Sequence, residues 1–257
     1  MVPKVIFIVP YRDRENQKGL FQRQMAYILE DLPKDDYNIY FAEQCDNRDF
    51  NRGAMKNIGF LAMKDKYPDD YKNITFVFND VDTMPYEKNL INYQTTANSI
   101  KHSFGYIHTL GGIVSILGSD FEKISGYPNL WTWGYEDNSL QKRAIDSGIH
   151  IDRSKFYKVG CKEIIQFVDD IYKKVNRDEF NRYTENKSDG LHTIMDIDYA
   201  IDEYNQTVKI SNFNIPYANN PERNTFFDIR NEGKRPFIYE KKGRFNSFMR
   251  MAFYTFE

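Results

Sequence analysis

The amino-acid sequence predicts an α/β fold with a Rossmann-like, mainly parallel central sheet flanked by helices. Two observations indicate this fold. Short apolar runs typical of buried strands alternate with longer segments of helical periodicity in the first part of the chain. An acidic cluster directly follows the third apolar run, at the sheet edge where the ligands of parallel sheets bind.

The first part of the chain supplies three strand-like runs and two helical segments. In each helical segment, apolar residues recur at spacings of three and four. The order is a strand at 4–9, a helix with apolar positions at Phe21, Met25, Ile28 and Leu32, a strand at 37–42, a helix with apolar positions at Phe50, Ala54, Ile58 and Leu61, and a strand at 74–78. This alternation predicts parallel strand pairing with helical crossovers.

The later part of the chain is more mixed. We predict a strand at 112–117, a short helix at 119–125 capped by Ser119, and a helix at 136–147 ended by Gly148. Beyond about Tyr217 the pattern gives way to Asn, Pro, Arg and Lys with scattered aromatic residues. We therefore predict a catalytic domain at 1–217 and a C-terminal appendage at 218–257.

Length and composition exclude several classes of protein. The chain has 257 residues, enough for one α/β domain with a full core, and a net charge of -2, which argues against nucleic acid as the main partner. Only Cys45 and Cys161 are present, so no disulfide framework is indicated. The apolar run at 5–9 is too short for a signal or membrane segment. We expect a cytoplasmic protein, unless an anchor was removed before this sequence begins.

The acidic cluster consists of Asp80, Val81 and Asp82 at the end of the third predicted strand. Mg²⁺ and Mn²⁺ prefer oxygen ligands and commonly join one or two carboxylates to a substrate pyrophosphate. A turn rich in Asp gives the same pattern without a metal. The cluster alone therefore leaves both interpretations open.

A second cluster combines aromatic and acidic residues at Trp131, Trp133, Tyr135, Glu136 and Asp137. An indole face packs against the apolar face of a pyranose, and a carboxylate accepts a proton from a sugar hydroxyl. The alternative is a pair of core tryptophans before a helix whose first turn carries acids favoured by the helix dipole.

A third group lies at the carboxyl ends of the first two predicted strands. Its arginines suit a diphosphate or a uracil carbonyl, and its aromatic rings suit a base; arginine on a loop is otherwise an ordinary surface residue. The members are Pro10, Tyr11, Arg12, Arg14, Phe50 and Arg52. The four histidines have no paired metal spacing, and no G-x-S-x-G, P-loop or G-x-G-x-x-G pattern occurs.

Six stretches in this order resemble the beta-1,4-galactosyltransferase family, an inverting family with the glycosyltransferase-A fold. They are IVPYRDRENQ at 8–17, FNRGAMKNIGF at 50–60, FVFNDVDTMP at 76–85, GGIVSI at 111–116, SGYPNLWTWGYED at 125–137 and SDGLHTI at 188–194. The resemblance covers about residues 4–217. It implies transfer of galactose or N-acetylgalactosamine from a UDP-sugar to a glycan or glycoconjugate acceptor, assisted by Mn²⁺ or, as an alternative, Mg²⁺.

The resemblance also implies roles for individual residues. The uridine and ribose-phosphate end of the donor would contact Pro10, Tyr11, Arg12, Arg14, Phe50 and Arg52, and the rest of the donor would contact Asp80, Val81, Asp82, Thr109, Gly112 and Trp133. Asp82 would ligate the metal, Glu136 would bind sugar hydroxyls, and Asp137 would be the catalytic base. The acceptor would lie against Trp131, Tyr135 and Asp137. A non-catalytic carbohydrate-binding relative and a UDP-sugar hydrolase are the alternative functions.

The sequence departs from the family at two places that concern specificity. Thr109 replaces a bulky aromatic residue beside the 2-substituent of the donor sugar, so we expect N-acetylgalactosamine to be accepted at least as well as galactose. Tyr135 and the pair Asn138-Ser139 differ from the family beside the acceptor pocket. An N-acetylglucosamine acceptor therefore cannot be assumed.

The family also places a Met and a His on the metal, and neither is present near Cys161. Matching the cysteines, with one residue deleted before Cys161, puts Glu163 and Gln166 at those positions. Together with Asp82 they would form an all-oxygen shell, more tolerant of Mg²⁺ than the family's. The alternative is that only Asp82 anchors the metal.

Overall fold

The computed structural model describes residues 1–168, 171–185, 188–230 and 236–237. In chain order, its strands and α-helices are β1 (Val5–Tyr11), α1 (Glu15–Ile28), β2 (Tyr37–Gln44), α2 (Arg52–Lys66), β3 (Thr75–Asn79), β4 (Thr83–Pro85), β5 (Ser99–Gly105), β6 (Ile113–Leu117), α3 (Gly118–Lys123), α4 (Glu136–Asp146), β7 (His150–Asp152), β8 (Tyr157–Lys158), β9 (Ile164–Gln166), β10 (Tyr172–Asn176), α5 (Arg177–Glu185), β11 (Met195–Asp202), β12 (Thr207–Asn214) and β13 (Asn224–Asp228). Single 3₁₀ turns lie at Lys34–Asp36, Tyr71–Asn73, Leu191–Thr193 and Pro221–Arg223.

The central sheet has the strand order β11-β12-β2-β1-β3-β6-β5-β7, with β8 beside β5. Strand β1 runs parallel to β2 and to β3, and β12 runs parallel to β2. The antiparallel pairs are β3 with β6, β5 with β6, and β11 with β12. The predicted α/β fold with a mainly parallel central sheet is confirmed.

Alternating side chains of β1 divide the core into two layers, one on each face of the sheet. Ile6 and Ile8 point into the layer that contains α2, whereas Phe7 points into the layer that contains Phe21 and Met25 of α1. Helix α2 packs so closely on β1 that a Cβ at residue 59 would lie 2.6 Å from a methyl carbon of Ile8. Within the described residues, no helix is long and apolar enough to span a membrane.

The observed helix boundaries match the sequence-based prediction at the end of α4 and differ from it at the start of α3 and at the end of α1. Helix α4 ends at Asp146, and Gly148 follows with a left-handed φ of 69°, as predicted. Helix α3 begins at Gly118, and Ser119 does not cap it. A side chain at residue 118 would meet the backbone oxygen of Tyr71, at 2.0 Å from its Cβ, so this helix begins where only glycine fits. Leu32 lies beyond the end of α1 and is exposed.

The segment after Tyr217 forms defined contacts as far as it is described. Strand β13 pairs antiparallel with β10, and the side-chain amides of Asn219 and Asn224 donate to Asp49 over 2.7 and 2.8 Å. The division into 1–217 and 218–257 stays a prediction. Apart from residues 236 and 237, the part beyond residue 230 lies outside the described residues.

Candidate active site

Two helix N-termini meet at the carboxyl edge of the central strands. Arg52 begins α2 and donates to Glu136, the first residue of α4, over 3.1 Å. The backbone N–H of Asp80, which directly follows β3, donates to the carbonyl of Gly112 over 3.3 Å. The predicted carboxylates at 80–82 and 136–137 therefore converge on one crevice, as expected for a parallel sheet.

The guanidinium of Arg52 is the positive centre of this crevice. Burial acts to lower the pKa of Arg52, but nearby carboxylates act more strongly in the opposite direction and raise it. These carboxylates belong to Asp80, Glu136, Asp137 and Asp82. Four acidic side chains thus lie close enough to this arginine to raise its pKa.

The acidic pair after β3 has the properties of a cation site. Burial raises the pKa of Asp82, and the neighbouring charge of Asp80 raises it further, against the opposing charges of Arg52 and Arg14. One carboxylate oxygen of Asp80 is buried and has no hydrogen-bond partner. Buried carboxylate oxygens are normally satisfied, so this one fits a ligand such as a divalent cation.

Asp137 lies on the first turn of α4 with its side chain one quarter exposed. Its Oδ1 accepts from the ammonium group of Lys56 over 3.3 Å. Its Oδ2 lies over Gly111, where a Cβ would be only 2.2 Å away. Burial raises the pKa of Asp137 to about 7; Lys56 opposes this shift, and the charge of Glu136 adds to it.

Glu136 is almost fully buried beside Asp137. One of its oxygens accepts from Arg52, and the other is buried with no hydrogen-bond partner. A buried acceptor in this state suits a hydroxyl donor of a bound ligand.

The two tryptophans of the aromatic cluster lie in different environments. Trp131 is only 2% exposed, stacks on Phe213 at 5.5 Å, and donates its indole N–H to the carbonyl of Tyr217. The indole of Trp131 is therefore a core group, and its face is not available to an acceptor sugar as the sequence predicted. Trp133 is half-buried, and its backbone N–H donates to the carbonyl of Lys174.

The backbone between Trp133 and α4 is unusual. Gly134 has a φ of 105° and Tyr135 a φ of 74°, so two successive residues adopt left-handed conformations. A left-handed conformation is uncommon for a tyrosine. The ring of Tyr135 stacks on Tyr183 at 4.9 Å, which fixes the turn from which Glu136 and Asp137 emerge.

Four of the predicted nucleotide-binding residues lie at or just after the end of β1. Tyr11 and Arg14 help line an open cavity of about 720 Å³, whose other lining residues are Asp13, Glu15, Asn16, Gln17 and Glu43. Arg12 instead donates to the carbonyl of Arg48 and lies 5.4 Å from the ring centre of Phe50. Pro10 is buried within β1.

Three further predicted donor-binding residues lie around the crevice. Gly112 has a φ of 83°, and a Cβ there would lie 2.4 Å from the carbonyl oxygen of Phe104, so only glycine fits. Thr109 is half-buried, and its hydroxyl donates to the carbonyl of Tyr106 over 3.3 Å. Val81 is buried.

The three residues of the predicted metal shell lie at the two ends of the β4–β9 ladder: Asp82 directly precedes β4, Glu163 directly precedes β9, and Gln166 ends β9. The side-chain oxygen of Gln166 accepts from the backbone N–H of Gly160, and the backbone carbonyl of Glu163 accepts from Tyr86 beyond the end of β4. Over the ranges that the structure describes, no three His, Cys, Asp or Glu side chains are gathered around a possible metal position. The β4–β9 ladder thus places Glu163 beside Tyr86, at the end far from Asp82. Gln166 lies opposite Thr83, next to Asp82, and its role as a metal ligand stays a prediction.

Sequence reasoning missed Lys56 and Gly111, which both touch Asp137. Lys56 is the more informative omission, since it lies one helical turn after Arg52 within an otherwise buried, largely apolar helix face. A cation at such a position needs a buried partner. A lysine among apolar residues on a predicted helix was thus a signal, visible in the sequence, for a buried ion pair.

Family models match two adjoining parts of the chain. The N-terminal region of glycosyl transferase group 7 matches residues 2–95. The model described as the N-terminal domain of galactosyltransferase matches residues 92–167. Together they span every predicted site residue.

Curated relatives agree with these models. Beta-1,4-galactosyltransferase 1 of Homo sapiens is 28% identical over 205 residues, covering 74% of this chain and 50% of the relative. Beta-1,4-galactosyltransferase 7 of Drosophila melanogaster is 27% identical over 209 residues, covering 75% of this chain and 62% of the relative. The chain spans about half the length of the curated relatives it matches.

Solved structures support the glycosyltransferase-A fold. The catalytic domain of Drosophila beta-1,4-galactosyltransferase 7, in complex with xylobiose, superimposes with a TM-score of 0.62 at 20% identity, covering 84% of this chain and 96% of that chain. A mutant of the same protein, in complex with manganese, UDP-Gal and xylobiose, gives a TM-score of 0.62 at 21% identity with the same coverage. At this level of identity the likeness shows the fold.

Proposed function

Because the chain belongs to the beta-1,4-galactosyltransferase family, we propose that it transfers galactose or N-acetylgalactosamine from a UDP-sugar to a sugar acceptor, with inversion. One observation carries the proposal. Asp137 is a partly exposed carboxylate whose pKa is raised to about 7, and it shares a crevice with the acidic pair Asp80 and Asp82. A base and a cation site are the two elements that such a transfer requires.

In this proposal Asp137 is the general base. A carboxylate with a pKa near neutrality combines a useful ionised fraction with enough basicity to accept a proton from the attacking hydroxyl. Glu136 accepts a hydrogen bond from another sugar hydroxyl through its unpaired oxygen. The acceptor is a glycan or glycoconjugate, bound beside the first turn of α4.

Asp82, with Asp80 beside it, would hold a divalent cation, Mn²⁺ or Mg²⁺. The unpaired buried oxygen of Asp80 and the raised pKa of Asp82 both fit a cation at this position. When bound, such a cation neutralises negative charge on the departing diphosphate. The Drosophila relative was solved in complex with manganese and UDP-Gal, which supports a cation in a protein of this fold.

Metal titration of activity separates the two candidate metal shells. Asp82→Ala should abolish activity at every metal concentration, whereas Glu163→Ala and Gln166→Ala should titrate like the parent protein. A higher metal requirement in both of the latter variants would show that Glu163 and Gln166 join the shell once the donor binds.

Donor choice is proposed to depend on Thr109. A small side chain leaves room beside the 2-substituent of the donor sugar, so UDP-N-acetylgalactosamine should compete effectively with UDP-galactose. Thr109→Tyr should shift the preference towards galactose. An unchanged strong galactose preference in both proteins would exclude this role for Thr109.

The alternative functions are tested by the release of UDP. A transferase releases UDP in the presence of an acceptor, a hydrolase releases it without one, and a carbohydrate-binding relative does not release it at all. Screening both donors against a panel of glycan acceptors by mass spectrometry identifies the product. Loss of the product in Asp137→Asn assigns the activity to this site.

A further inference from the structure

A buried lysine pairs with Asp137. Lys56 lies on α2 one turn after Arg52 and is only 2% exposed. Its ammonium group is 3.3 Å from Oδ1 of Asp137 and 4.5 Å from the ring centre of Tyr127. A buried ammonium group is strongly unfavourable unless a charge partner compensates it, so this placement depends on the carboxylate.

Charged groups face Asp137 from three directions. Helix α2 contributes Lys56 and Arg52, helix α4 contributes Glu136, and the end of β3 contributes Asp80. The phenol of Tyr127, whose oxygen is buried without a hydrogen-bond partner, lies beneath the ammonium group of Lys56. Arg52 is already engaged by Glu136. Of Arg52 and Lys56, it is thus Lys56 that donates a hydrogen bond to the carboxylate of Asp137.

We propose that Lys56 is a positioning residue that keeps Asp137 ionised and fixes the orientation of its carboxylate for proton abstraction. This inference rests on the proposed role of Asp137 as the base. Lys56 itself is buried. It acts through Oδ1, while Oδ2 is held over Gly111.

The physical need for Lys56 follows from the crowding of the crevice. Burial and the charges of Glu136 and Asp80 all favour the protonated form of Asp137, and a protonated carboxyl cannot accept a proton. Lys56 is the strongest opposing charge. Removing its charge should therefore leave Asp137 protonated, and inactive as a base, at neutral pH.

The test replaces the lysine while keeping its approximate length. Lys56→Met removes the charge, Lys56→Gln keeps a hydrogen-bond donor without the charge, and Lys56→Arg keeps the charge. Lys64→Met is the matched control, because Lys64 lies two turns further along α2 and also combines a carboxylate, Glu122, with a tyrosine ring, Tyr71. Folding of each variant is checked by circular dichroism and Tm.

Two readouts are measured for each variant. The first is the dependence of kcat and of the donor KM on pH. The second is a titration of aspartate carboxyl ¹³C signals by NMR, in which Asp137→Asn identifies the signal of Asp137. The NMR readout does not depend on catalysis.

In Lys56→Met and Lys56→Gln, we expect the acidic limb of kcat and the Asp137 titration to move up by ~1 pH unit or more. At pH 7 kcat should fall ~10-fold, recover largely at pH 9, and leave the donor KM little changed. Lys56→Arg should restore most of the activity at pH 7. Lys64→Met should shift neither readout.

Opposite results have distinct meanings. If Asp137→Asn is inactive but the charge-removing variants at residue 56 keep the parent pH profile and titration, the proposal for Lys56 is wrong and the base assignment stands. If Asp137→Asn retains activity, the base assignment is wrong, and the NMR titration still decides whether Lys56 controls the protonation of Asp137. Should the uncharged variants not fold, the ¹³Cε signal of Lys56 in the parent protein decides. A change in this signal at the pH where Asp137 titrates supports the proposal, and a signal that does not respond to that titration rejects it.

Discussion

Two of the lysine–carboxylate pairs of helix α2 contain carboxylates whose pKa values are shifted in opposite directions. Each pair consists of a lysine of α2, a tyrosine ring beneath its ammonium group, and a carboxylate from another helix. The first contains Lys56, Tyr127 and Asp137, and the second contains Lys64, Tyr71 and Glu122. The first lies at the crevice, and the second lies at the far end of the helix.

The pKa shifts of the two carboxylates differ in sign. Burial acts to raise the pKa of Glu122, but its hydrogen bonds from Lys64 and Tyr71 outweigh this, and the pKa is lowered. At Asp137 burial prevails, and the pKa is raised to about 7. Glu122 is 38% exposed, whereas Asp137 is 25% exposed and lies beside two other carboxylates. The surroundings of an ion pair, more than the pair itself, thus decide whether its carboxylate is a stable anion or a base.

The largest expected effect comes from neutralising each carboxylate in turn. Asp137→Asn preserves side-chain volume but removes basicity, so kcat should fall by ~100-fold or more while donor binding survives. Glu122→Gln makes the same change at the other pair and should leave kcat within ~2-fold of the parent. Steady-state rates and calorimetric donor titration measure both. Comparable losses of kcat in the two variants would contradict the conclusion that only Asp137 acts as a base.

A smaller effect should follow from crowding each pair with a methyl group. In Gly111→Ala the new Cβ would lie 2.2 Å from Oδ2 of Asp137, so the carboxylate must move. We expect kcat to fall ~10- to 100-fold, because a displaced base loses its alignment with the hydroxyl. Gly118→Ala meets the backbone of Tyr71 at 2.0 Å and should lower the Tm instead. If Gly118→Ala reduces kcat as severely as Gly111→Ala does, the conclusion that only the first pair serves catalysis is wrong.

The parent protein should itself show the raised pKa in its pH profile. Asp137 is active as a base only when it is ionised, so kcat/KM should rise with pH through about 7. Well below that value it should fall ~10-fold per pH unit. Glu122→Gln should have the same profile. An acidic limb of kcat/KM near the ordinary carboxyl value would refute the shift.

The smallest effect concerns stability at the exposed pair. Lys64→Met should cost a few tenths to ~1 kcal/mol at pH 7, since a pair this exposed is screened by solvent. The pKa of Glu122 is lowered on folding, so its contribution is present above its unfolded value and is lost as the pH falls through the folded one. Urea unfolding at pH 7 and at pH 3 measures the difference. A cost that is as large at pH 3 as at pH 7 would mean that packing, rather than charge, supplies it.

The first half of the fold was accessible from sequence because its signals are local. Strands β1, β2 and β3 are nearly continuous apolar runs, and α1 and α2 keep a helical period. The later strands gave no comparable signal. Strands β7, β8 and β9 have two or three residues each, and β12 is placed beside β2 by contacts across most of the chain.

The site was predictable where its residues are adjacent in sequence. Asp80 and Asp82, and likewise Glu136 and Asp137, form short acidic clusters that the fold brings around Arg52. Trp131 also belongs to a conspicuous local cluster, of aromatic and acidic residues. Its indole is nevertheless stacked on Phe213, and no local sequence pattern reveals that contact. The roles of the other predicted residues stay predictions until the variants are measured.

The place of β12 in the sheet has a consequence for synthesis. Strand β2 is covered on one side by β1, its near neighbour in sequence, and on the other by residues 207–210, which the ribosome adds much later. Until then β2 is an uncovered edge of the nascent domain, with apolar side chains on both faces. Completing the sheet requires closure of a very long loop, which is slow. We expect the nascent chain to bind chaperones at β2 until residue 210 has left the ribosome tunnel.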